Sequence, residues 1–134
     1  MERILGLAPT AAEIEALADA ALASLPAPFA AHLEGVVLQV EEFADAETLA
    51  LLGIEDPFAL TGLYEGVPVG EKHSAPSGTL PDRIRLFRAP ILDEWIARGD
   101  ETLEHLVAHV VIHEVGHHFG LSDADIEALE EAAD

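Results

Sequence analysis

His113-Glu114-Val115-Gly116-His117-His118-Phe119-Gly120-Leu121-Ser122-Asp123 is the stretch from which the rest of the chain can be read. Two histidines four residues apart lie on one face of an α-helix, close enough to reach a single cation through their ring nitrogens. Glu114 is rotated about 100° from His113, so its carboxylate flanks the metal position and is placed to take a proton from a bound water, as a base and not a ligand. Gly120 stands where the helix must stop, because a residue without a Cβ adopts the positive φ that turns the chain back sharply. The turn delivers Asp123. Its carboxylate makes a third protein ligand and leaves the fourth tetrahedral position to water, which is the arrangement of a catalytic zinc.

Working outward, the residues that lead into this stretch predict a helix buried on nearly every side. Leu103, Leu106, Val107, Val110, Val111, Ile112, Val115 and Phe119 spread over most of its circumference. A metal site there is held by a packed element and partly shielded from water. A histidine pair alone is a weak signal in a chain with seven histidines; Gly120 and Asp123 at the end of a buried helix make it specific. His109 and His105 continue the four-residue series but lie one and two turns from His113, too far to join the same zinc. They are expected to be packed or hydrogen-bonded. His118, about 140° around the helix from His113, is assigned to another face.

His113 to Asp123 resembles the extended HExxHxxGxxD signature of zincin metallopeptidases, in which aspartate replaces the third histidine of the metzincin motif. More closely, the chain is similar to a small bacterial zincin-like family of candidate zinc metallopeptidases. The similarity runs from Gly62-Leu63-Tyr64-Glu65-Gly66 through Ile84-Arg85-Leu86-Phe87-Arg88 to the histidine motif. The resemblance implies that His113, His117 and Asp123 are zinc ligands and that Glu114 is the catalytic glutamate. Two departures stand beside it. Met1 is the sole methionine, so the Met-turn of metzincins is absent. Asp123 is followed by 11 residues, so the C-terminal subdomain that walls the cleft of larger zincins is expected to be missing.

The 134 residues fit one domain with a single core and no need of disulfides, which a chain without cysteine could not form. No apolar run approaches the length of a membrane span. The N-terminal residues lack the basic region and apolar core of a signal peptide. The expected location is cytoplasmic. A net charge of −20 repels nucleic-acid phosphate and excludes it as a favoured partner. Cationic partners remain compatible with it, although the charge serves solubility first. The basic residues concentrate between Lys72 and Arg98, and Arg83, Arg85 and Arg88 form a strip expected to meet acidic groups of the chain or of a ligand.

In chain order, Thr10 to Glu13 is a capping box that opens a helix with Ile14, Leu17, Ala18, Ala21, Leu22 and Leu25 on one side, ended by Pro26 and Pro28. Val36 to Val40 is a β-branched run expected to form a strand buried on both faces. Asp45 caps a short helix that stops at Gly53. Ala59 to Glu65 reads as a second strand, where Gly62 marks a bulge or the close approach of another backbone, as in a strand that pairs with substrate. Gly66 to Asp82, rich in proline and glycine, reads as a long mobile loop bordering the cleft. Arg83 to Phe87 makes a third strand. Pro90 sits in the first turn of a helix closed by Gly99, Asp100 caps the histidine-bearing helix, and the last helix runs from Ala124 to about Ala132. The fold class is α+β, a minimal zincin-like domain with a small sheet of three or four strands packed on the central helix.

Tyr64 and His73 are candidate donors to the oxyanion, since the missing subdomain would otherwise supply one. The expected reaction is hydrolysis of a peptide or protein substrate, with zinc as cofactor and Glu114 as general base. A zinc-binding regulatory or peptide-binding protein that keeps the site without turnover is the alternative. A purely structural metal site fits less well with Glu114 and an open fourth position.

Overall fold

Strand and helix boundaries follow from a few local choices in the computed structural model, which describes residues 7–33, 35–66 and 82–133. The predicted loop at 67–81, with Lys72 and His73, lies outside the described residues. The elements are α1 (Ala11–Ala23), α2 (Ala27–His32), β1 (Val37–Glu41), α3 (Ala46–Leu52), a 3₁₀ turn (Pro57–Ala59), β2 (Gly62–Glu65), β3 (Arg83–Phe87), α4 (Arg88–Arg98), α5 (Leu103–His118) and α6 (Asp123–Ala133). Thr10 and Glu13 form the expected reciprocal capping box, and Asp45 accepts the Thr48 N–H at the start of α3.

The fold is α+β with three strands, ordered β1-β3-β2. β1 runs parallel to β3, and β2 antiparallel. Strand alternation separates two chemistries. Ile84 and Leu86 of β3 point into the core with Ile14, Ala18, Ala21, Leu106, Val107, Val110 and Val111 from α1 and α5. Arg83 and Arg85 point the other way. Arg85 is buried against Glu41, Asp45, Glu65 and Thr48, Arg83 bonds Glu65 and Gln39, and Arg88 pairs with Glu42. The arginine strip thus meets carboxylates of its own chain.

Several expectations are corrected. β1 is not buried on both faces: it is an edge strand, and its outward residues Val37 and Gln39 are exposed. The second strand begins at Gly62, because Asp56 and Pro57 first set a 3₁₀ turn. Gly62 marks no bulge; the Arg85 carbonyl oxygen lies at 3.5 Å from a Cβ built there, but the tightest contact is with a side chain. A Cβ there would lie 2.7 Å from Val110 Cγ1, so the missing side chain lets β2 settle on α5. Pro26 and Pro28 do more than end α1; the region starts the short α2, where proline suits the first helical turn. Thr102, not Asp100, caps α5, accepting the His105 N–H. α5 is buried along the stripe of Leu106, Val107, Val110, Val111 and Val115, while His105 and His117 are exposed. Among the described residues no helix is long and apolar enough to cross a membrane.

Candidate active site

The last turns of α5 carry the candidate residues because Gly120 ends the helix in a defined way. Gly120 has φ 74°, its N–H donates to the His117 carbonyl, and the Leu121 N–H reaches back to Gly116. These paired bonds satisfy the end of the helix and reverse the chain. α6 then begins at once, with Ser122 and Asp125 capping each other reciprocally. Gly116 sets how near α6 lies, since a Cβ there would collide with Ile126.

His113 and His117 come together as their spacing predicts. Their Nε2 atoms are 2.9 Å apart, and the rings meet edge to face with centroids 4.4 Å apart. Burial, and then the charges that His117 and His109 would carry, push the His113 imidazole below its ordinary range. A neutral ring offers a lone pair to a metal. Two ligands at zinc–nitrogen bond length and tetrahedral angle stand about 3.3 Å apart, so the two imidazoles need part by only about 0.4 Å. The histidine pair therefore lies near the spacing that zinc requires.

Asp123 is less complete. It is the first residue of α6, exposed, and close enough that its charge raises the proton affinity of His113. Among the described residues no three side chains converge at metal-binding geometry, so Asp123 is not brought onto the histidine pair. Its carboxylate is not used as the helix cap either, because Ser122 has that role.

Glu114 lies beside the pair and not in it. Burial pushes its carboxyl up to about 7, opposed by the nearby backbone N–H of Tyr64. The sheet register explains the direction of that group. Phe87 N–H donates to the Thr61 carbonyl, so along β2 the groups facing β3 alternate, and the N–H of Tyr64 points to the free edge. A partly buried carboxyl group, two imidazoles and a strand edge are gathered at one place.

The other candidates separate. The Tyr64 hydroxyl donates to Asp82 Oδ2 at 2.9 Å, and its ring stacks on His118. Burial first, and Asp82 second, push that hydroxyl above its usual range. His105 lies 3.3 Å from Glu101. His109 stacks on His113 and lies 2.7 Å from Glu130 Oε1 without a formed hydrogen bond. Asp82 and His118 are the functional candidates that sequence reasoning missed. The one local signal was that His118 stands four residues after Glu114, on its side of the helix.

Against known proteins, the model of a family described as zincin-like metallopeptidase matches residues 33–133. Comparison with curated proteins finds no match.

Proposed function

The chain belongs to the zincin-like metallopeptidase family, and from that premise we propose that it is a zinc-dependent peptidase with Glu114 as general base. The observation that carries the reading is the pair of His113 and His117 Nε2 atoms 2.9 Å apart, with the partly buried Glu114 next to them on the same helix. His113, His117 and Asp123 would hold the metal, Asp123 by turning inward from the start of α6. Bound zinc supplies a Lewis acid that acidifies water and polarises a carbonyl.

The protein's own groups do the rest. Glu114 accepts a proton at its carboxylate from the attacking water and returns it to the leaving amine nitrogen. The free edge of β2 offers the Gly62 backbone groups and the Tyr64 carbonyl to an extended peptide, which would add as a further strand. α5, packed into the core through Val110, Val111 and Val115, keeps His113, Glu114 and His117 in fixed relation.

Cleavage of an unbiased peptide library by the native chain and by Glu114→Gln tests the proposal. The variant should keep its zinc and lose a factor of about 10² to 10⁴ in rate. Undiminished cleavage by the variant would place the activity elsewhere. No cleavage by the native, zinc-loaded chain would favour the regulatory or peptide-binding alternative.

A further inference from the structure

A second polar cluster lies buried between β2, the start of β3 and the last turn of α5. Asp82 and His118 have side chains only 7% and 5% exposed. The Tyr64 hydroxyl donates to Asp82 Oδ2 at 2.9 Å, and His118 Nε2 is 3.4 Å from the same oxygen. The rings of Tyr64 and His118 stack with centroids 3.9 Å apart and planes 16° from parallel. Gly66 closes on the group from the end of β2, since a Cβ there would collide with the Asp82 carboxylate. Side chains from three separate parts of the chain thus meet on one carboxylate oxygen.

The same cluster brackets Glu114. His118 stands one helical turn beyond it, and the backbone N–H of Tyr64 lies close enough to lower its proton affinity. Tyr64 therefore meets α5 twice, through its ring at His118 and through its main chain near Glu114, while its hydroxyl is tied to Asp82 before β3. The Asp82 contact fixes the ring in place, because the Tyr64 hydroxyl and His118 Nε2 both approach the same carboxyl oxygen.

We propose that Tyr64, Asp82 and His118 are positioning residues: a bolt that pins β2 to the end of α5 and so holds the Tyr64 N–H against the Glu114 carboxyl. In this role the hydroxyl stays on Asp82 and is not the oxyanion donor. Only the kinetic consequence rests on the peptidase reading; the geometric claim stands apart from it.

The test is residue-resolved amide exchange on the full chain supplemented with zinc, in the native protein and in Tyr64→Phe, which keeps the stacked ring and removes the hydroxyl. The amide of residue 64 should exchange about tenfold faster in the variant, the loss expected for a charge-assisted hydrogen bond. Amides of Leu106 to Val111 should not change, whereas a general loss of stability would move them together. Glu114→Ala should release the same amide, and the double variant should release it no further, because both act on one N–H. Asp82→Asn gives a second route to the same pattern should Tyr64→Phe fold poorly. In cleavage assays Tyr64→Phe should lower kcat about tenfold at unchanged KM and zinc content. If the native chain cleaves no peptide, exchange alone decides. Unchanged protection at residue 64, or strictly additive effects of the two substitutions, overturns the proposal.

Discussion

In the metal-free chain Glu114 is a carboxyl group withdrawn from water, and its proton affinity follows from that. Its pKa rises from 4.5 to about 7, chiefly through burial. Between those values the folded state binds more protons than the unfolded state, so this group's contribution to stability falls as pH rises through the window. Glu114→Gln removes the penalty. Relative to the native chain in the presence of a chelator, the variant should gain about 2–3 kcal/mol between pH 4.5 and pH 8. Urea unfolding of both proteins across that range measures it; parallel stability curves would contradict the burial of this carboxyl. His113 contributes in the opposite direction, since its lowered pKa takes stability away as pH falls.

At the scale of the element, the end of α5 depends on close approach. Helix propensity alone predicts that Gly116→Ala stabilises a helix interior by up to about 1 kcal/mol. The added Cβ, however, would meet the buried Ile126 side chain of α6, and overpacking of that kind costs about 1–3 kcal/mol. The clash should win, lowering stability by about 1–2 kcal/mol and displacing α6 with Asp123. Thermal unfolding of Gly116→Ala, Ile126→Ala and the pair checks this: the double variant should be clearly more stable than the sum of the single effects implies. Stabilisation by Gly116→Ala would show that α6 is free to move aside. Such packing is invisible to local rules, which did read Thr10, Asp45, Gly53, Gly99 and Gly120 as helix boundaries because each boundary is set within a few residues. Local reading erred where two signals competed, as at Pro26, which ends one helix and opens the next, and at Asp100, which yields to Thr102 as the cap of α5.

For the molecule as a whole, the α+β class and β3 were legible because alternation and helical period survive in the sequence, with Ile84 and Leu86 facing the core and Arg83 and Arg85 facing away. His113, Glu114 and His117 were legible because one helix presents all three. The Tyr64, Asp82 and His118 cluster was not, since its first bond already joins residues 18 apart and only the sheet register closes that distance. The four arginines of the described residues are each paired with carboxylates of the chain itself, which leaves the strongly acidic balance to the remaining surface. The claim on which the account turns is a zinc centre formed by His113, His117 and Asp123. Elemental analysis of untagged protein equilibrated with zinc and then freed of excess metal tests it most directly. The account predicts about one zinc per chain, lost in His113→Ala and His117→Ala. It also predicts weakened binding in Asp123→Asn with little change in thermal stability, because Ser122 and not Asp123 caps α6. Stoichiometric zinc retained in both histidine variants, or none bound by the native chain, would contradict it.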